Sequence, residues 1–94
     1  MRTNLRIDET TRDDITTLAV HGELDEAGCP ALDSCLSGHC GPGARIVLDL
    51  RTLNFMDSAG IALLQRISVR SALEGWAFAV RTTGGRYLSG RRAA

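Results

Sequence analysis

The sequence predicts an α/β fold in which a mixed β-sheet is flanked by α-helices. Two segments carry this. Ile46, Val47, Leu48 and Leu50 form a near-continuous apolar run, the pattern of a parallel strand covered on both faces. After Asp57-Ser58, apolar residues recur at helical spacing for about four turns.

The remaining elements follow in order. Leu5 and Ile7 alternate with Arg6 and Asp8 as in a short strand, and the polar stretch 9–14 reads as a turn. Residues 15–21, ITTLAVH, are β-branched and apolar and predict a second strand, paired with the first as a hairpin. Gly22-Glu23-Leu24-Asp25 ends it. Leu32, Cys35 and Leu36 share one helical face within 29–37, and Pro30 suits a first turn. The segment GHCGPG at 38–43 stops that helix. The strand at 45–50 comes next, with Leu53, Phe55 and Met56 continuing its apolar signal. In the second helix Ile61, Leu64 and Ile67 predict the buried row, with Gln65, Arg66 and Arg70 outward. Gly75 is placed as its left-handed terminator. WAFAV at 76–80 predicts a last strand. Beyond Arg81 only Tyr87 and Leu88 are sizeable apolar residues, so one turn of helix or no regular structure is expected. The predicted order is β-β-α-β-α-β, which packs as a layered α/β domain.

A chain of 94 residues allows one domain, with a core over about 5–81 and a short basic tail at 82–94. Formal net charge is zero, but residues 1–80 hold seven Arg and all 11 acidic residues, a net of −4. Arg81, Arg86, Arg91 and Arg92 carry the balance. Four charges with one stacking residue, Tyr87, form no nucleic-acid module, so no direct nucleic-acid partner is expected. No apolar run approaches the ~18 residues of a membrane span. The polar N-terminus lacks a secretory core, and a cytoplasmic location is expected. Cys29, Cys35 and Cys40 are an odd set without C-x-x-C spacing, so free thiols are expected, with Cys40 the most accessible, and neither metal nor cofactor. The chain lacks G-x-S-x-G, a P-loop, a dinucleotide turn and H-E-x-x-H. Neither His21 nor His39 is an obvious partner for Ser58, and no enzyme is expected.

The chemistry-bearing segment is 49–60, DLRTLNFMDSAG. It runs from a buried strand into Asp57-Ser58-Ala59-Gly60 at the mouth of a helix, where ligands and modifications concentrate in α/β folds. A serine in a first turn lies among free N–H groups and at the positive end of the helix dipole, which favours an added phosphate. Gly60 inside a helix costs ~1 kcal/mol relative to Ala, so the position has a reason beyond capping, and space for a docking loop beside Ser58 is the expectation.

DLRTLNFMDSAGIALL resembles the signature of STAS domains, the family of anti-sigma factor antagonists, at Asp49, Leu50, Leu53, Phe55, Met56, Asp57, Ser58, Ala59, Gly60 and Ile61. GELD at 22–25 resembles the family's second motif. Arg51 departs from the pattern, where a small or polar residue is commoner. The resemblance covers residues 5–81 and implies a STAS-like fold and a partner switch. Ser58 would be the phosphate acceptor. Asp25, Asp57, Ser58, Ala59, Gly60 and Ile61 would form the partner-binding surface. The implied partners are an anti-sigma factor serine kinase, bound while Ser58 is unphosphorylated, and a serine phosphatase that resets the switch. The family also holds members without a switching serine, in transport and stress-signalling complexes. Members usually continue with another helix where this chain has TTGGRYLSGRRAA. That shortened C-terminus predicts a sheet partly uncovered near the 76–80 strand, and either self-association as a homodimer or a marginally stable monomer.

Overall fold

The structure, a computed structural model, describes residues 4–83 and 85–90, with side chains described as far as Thr83. The elements are β1 (Leu5–Arg12), β2 (Ile15–Leu24), α1 (Cys29–Ser37), β3 (Arg45–Asp49), β4 (Leu53–Met56), α2 (Ser58–Glu74), β5 (Ala77–Thr82) and β6 (Gly85–Gly90). They build one six-stranded sheet in the order β1-β2-β3-β5-β6, with β4 paired to β2 off that path. The outer pairs β1–β2 and β5–β6 are antiparallel, and β2–β3, β2–β4 and β3–β5 are parallel.

Residues 9–12, read as part of a turn, belong to β1 and pair with residues 15–18 of β2, because backbone pairing carries the polar stretch on as strand. Three further features differ from the sequence reading. The apolar residues after Leu50 form a strand of their own, β4. The chain beyond Arg81 forms a hairpin strand, β6, instead of a helical turn or irregular chain. Backbone pairing along the open side of β5 supplies what side-chain pattern does not signal there. The side chains of Arg86, Tyr87 and Leu88, and all of 91–94, lie outside the described residues.

The third difference is the layering. Leu32 and Leu36 of α1 and Leu63 and Ile67 of α2 join a single core with Leu18, Val20, Ile46, Leu48, Phe78 and Val80. These sheet residues alternate along their strands and therefore share one face. Both helices cover that face. The opposite face carries Thr17, Ala19, Val47 and Asp49, all half-buried. Among the described residues the sheet is covered by helices on one side, not both. Each parallel step, from β2 to β3 and from β4 to β5, needs a crossover, and crossovers of one hand running in one direction lay their helices on one side.

Long strand β2 is shared by two partners. Its first half pairs with β3, through Thr16–Ala19, and its last residues with β4, through Gly22, Glu23 and Leu24. The change falls between Ala19 and Gly22, and a bulge follows at once between Gly22 and Glu23. Gly22 has φ +97°, and a Cβ there would overlap the Asn4 carbonyl. Only glycine meets both demands, which gives the first residue of GELD its physical role.

Candidate functional site

The bulge delivers Leu24 beside Met56, at the parallel ends of β2 and β4. Asp25 and Asp57 therefore leave the sheet side by side. The Asp57 N–H donates to the Leu24 carbonyl at 3.3 Å. Each aspartate then starts its own turn. Asp25 accepts the Gly28 N–H on its carboxylate at 3.0 Å, closing the turn into α1. Asp57 is the N-cap of α2, and its Oδ1 accepts from Ala59 N at 2.9 Å and Gly60 N at 3.2 Å. This is the capping arrangement that satisfies amides otherwise orphaned at a helix start.

Ser58 is the first residue of α2 and is exposed. Among the described residues no group engages its hydroxyl. Its apolar surroundings are open as well, since Phe55 is 51% and Ile61 52% exposed. A groove of about 330 Å³ runs beside it between the first halves of α1 and α2, lined by Glu26, Cys29, Asp33, Ala59, Ala62 and Arg66 among others. Four carboxylates, those of Asp25, Glu26, Asp33 and Asp57, thus border the region, and among the described residues Arg66 is the one cation lining the groove.

Gly60 is buried and contributes differently from the expectation. A Cβ there would stand 2.7 Å from the Leu24 carbonyl oxygen and 2.7 Å from Met56 Cγ. The missing side chain makes no space beside Ser58; it lets α2 press onto the end of β2. This contact also sets the helix rotation. With Gly60 turned inward, Leu63, Ile67 and Ser71 follow on the buried face, and Ile61 swings out. The predicted inward row through Ile61 is therefore displaced around the helix. Ser71 is fully buried, and its hydroxyl donates to the Ser68 carbonyl at 2.8 Å.

Arg51, the departure from the motif, has a local partner. It donates to Asp49 from Nε at 3.0 Å, from Nη2 at 2.9 Å and from its backbone N at 3.1 Å. These hydrogen bonds hold the Asp49 carboxyl below its ordinary range. The pair braces the turn between β3 and β4. On the same turn Thr52 Oγ1 lies 2.7 Å from His21 Nδ1, and His21 Nε2 lies 2.9 Å from Asp8. His21 serves the sheet and is not directed at Ser58.

The cysteines are all free. Cys29 is buried beneath the groove, and burial, with Asp57 next in weight, raises its thiol pKa. Cys35 and Cys40 are both half-buried against the core. Cys40, expected to be the most accessible thiol, shares the half-buried state of Cys35, and its Sγ donates to the Leu36 carbonyl at 3.1 Å. Burial raises the pKa of both. Among the described residues no three metal-ligating side chains are placed to share an ion, and no helix is long and apolar enough to cross a membrane.

A family profile described as STAS domain matches residues 6–87. This chain belongs to the STAS domain family. The STAS fold is shared with an anti-sigma factor antagonist from Mycobacterium paratuberculosis, with a TM-score of 0.62 and 22% identity over 82% of this chain and 68% of that one. An uncharacterized DUF3478-family protein from Shewanella loihica PV-4, described as having a SpoIIAA-like fold, aligns with a TM-score of 0.53 and 18% identity over 89% of this chain and 74% of that one. A structure described as Mglu gives a TM-score of 0.67 and 20% identity over 78% of this chain, which spans only 18% of that protein. At these identities the likeness to solved structures is one of fold. No curated protein matches this STAS chain.

Sequence reasoning named Asp25, Asp57, Ser58, Ala59, Gly60 and Ile61, and the structure brings them to one end of the sheet. It missed Phe55, Cys29 and Arg66. Phe55 sits in an apolar run that reads as buried, and Arg66 sits among residues that read as a plain solvated face. No local signal marks either.

Proposed function

We propose that this STAS domain is an anti-sigma factor antagonist worked by phosphorylation at Ser58. In this reading the unmodified chain binds an anti-sigma factor serine kinase through the end of the sheet bounded by Asp25, Asp57 and Ile61. Transfer of the γ-phosphoryl group of ATP to the Ser58 hydroxyl releases it, and a serine phosphatase restores the binding form. The observation that carries the reading is the state of Ser58: exposed, unengaged, and first in a helix capped by its neighbour. The hydroxyl is free to enter a kinase site without breaking any contact of the fold.

The same geometry explains how one phosphate would switch binding and leave the fold intact. A phosphoserine adds about −1.5 to −2 charges near pH 7. In the free protein the positive end of α2 offsets that charge. In a complex it would lie at the centre of the contact, among Asp25 and Asp57, where an unpaired desolvated charge is costly. The exposed pair Phe55 and Ile61 supplies apolar area on which a partner can dock.

Mass spectrometry after incubation with the cognate kinase and ATP tests this. One phosphate on Ser58 is expected, none on Ser58→Ala, and at least tenfold weaker kinase binding by Ser58→Asp, or ~1.4 kcal/mol. Phosphate on Thr52 or Ser68 instead would sink the site assignment, and equal calorimetric affinities for the wild type and Ser58→Asp would sink the switch.

A further inference from the structure

Three polar side chains from three segments meet at the end of β4 away from Ser58. Asp8 stands on the edge strand β1, His21 on β2, and Thr52 on the turn between β3 and β4. Thr52 Oγ1 lies 2.7 Å from His21 Nδ1, and His21 Nε2 lies 2.9 Å from Asp8 Oδ2. Arg6, the cross-strand neighbour of His21, donates to the same Asp8 oxygen at 3.2 Å. The imidazole is half-buried, whereas Thr52 is exposed.

The carboxylate fixes the polarity of this chain. It only accepts, so Asp8 places the proton of the neutral ring on Nε2. Nδ1 then keeps its lone pair, and the Thr52 hydroxyl is the donor to it. The Val20 carbonyl, 3.4 Å from Thr52 Oγ1, lies beyond the usual range for that proton. A brace between turn and sheet would work with either polarity. Here the hydroxyl proton points at a base, and a carboxylate orients the base, which is the arrangement that activates a hydroxyl nucleophile. Among the described residues the Thr52 backbone N–H has no acceptor, and a nucleophile's own N–H is a common donor to the oxyanion it creates.

We propose that Thr52 is an acyl acceptor, taking an acyl group from a small activated carboxylic ester, with His21 as general base and Asp8 as a positioning residue. Oγ1 bonds to the acyl carbon as its proton passes to His21 Nδ1. The bond from that carbon to the leaving oxygen then breaks, and the leaving oxygen takes up the proton. The products are a threonine ester on the chain and the free alcohol. Because Thr52 is exposed on a turn, a small ester reaches it without opening the fold.

Incubation of the full chain with p-nitrophenyl acetate, followed by peptide mapping in a mass spectrometer, tests this. The chain has no lysine, so amine acylation is confined to the N-terminus. Acetyl should accumulate on Thr52, and unfolding in urea should abolish it. Thr52→Ser should retain the reaction. His21→Gln, which keeps hydrogen-bonding groups in place, should slow it about a hundredfold or more. Asp8→Asn should slow it at least tenfold, and Asp8→Glu should recover part of the rate, as a purely structural role would not require. Matching thermal melts verify that the variants are folded, and Asp8 is exposed, so its variants carry the test even if His21→Gln does not fold. Absence of acetyl from Thr52 overturns the proposal. So does an unchanged rate at Thr52 in both His21→Gln and Asp8→Asn, or acetyl on the His21 ring with undiminished p-nitrophenol release by Thr52→Ala.

Discussion

Gly60 shows how one missing methyl sets the position of the proposed phosphate acceptor. The helix α2 approaches the Leu24 carbonyl so closely that a Cβ at Gly60 would stand 2.7 Å from its oxygen. That approach joins three things: the helix rotation, the inward face through Leu63 and Ile67, and the outward aim of Ser58 and Ile61. A Gly60→Ala change sets two effects in opposition. Helix propensity gains ~1 kcal/mol, while overpacking against a backbone carbonyl costs typically ~1–3 kcal/mol. Backbone atoms cannot step aside as a side chain can, so overpacking wins and net destabilisation of about 1 kcal/mol is expected. Urea denaturation measures it, and an alanine variant as stable as the wild type would show that α2 shifts freely on β2. The sequence marked this glycine as costly within a helix. It did not reveal which side the cost served, because that depends on a carbonyl thirty-six positions earlier in the chain.

At the scale of elements, the hairpin of β1 and β2 is closed by Asp13 and Asp14, with φ of 53° and 65°. Two successive left-handed residues form the mirror-image turn that suits the right-handed twist of paired strands, usually filled by Asn-Gly or Asp-Gly. The second aspartate carries a Cβ where glycine carries none. Asp14→Gly should therefore stabilise the domain, by up to ~1 kcal/mol, offset in part by the freedom glycine adds to the unfolded chain. A higher urea midpoint at unchanged slope is the outcome to look for; a lower midpoint would mean the unfolded-state term dominates. Local chemistry made this turn legible as polar. Its conformation was not, because strand length decides which residues sit at the corner. The helices were more legible: Pro30, the Asp57-Ser58 start and the Gly75 stop act over one turn of chain, and both helices lie where those signals put them.

At the scale of the whole molecule, one core joins β2, β3, β5 and both helices, and Trp76, the chain's single tryptophan, sits inside it at 1% exposure. Its indole N–H donates to Glu74 at 3.0 Å, and its ring meets Phe78 edge-on at 6.2 Å. With one core, unfolding should be a single cooperative transition. Tryptophan fluorescence and far-ultraviolet circular dichroism should then trace the same denaturation curve, and separated midpoints would mean that the two ends of the sheet unfold independently.

The sequence by itself determined the class of fold, the helix boundaries, the STAS resemblance and the place of Asp57 and Ser58 at a helix start, because capping, periodicity and motif spacing are short-range properties written within a few residues. Only the tertiary structure decided that both helices cover one face, that β2 changes partner at Gly22, that β6 adds a hairpin edge, and that Ile61 and Phe55 turn outward. Each of these depends on contacts between segments far apart in the chain: the hand of successive crossovers, the Asn4 carbonyl against Gly22, and the Leu24 carbonyl against Gly60. No local pattern encodes such a contact, since the residue that needs the space and the atom that occupies it meet only when the sheet has formed.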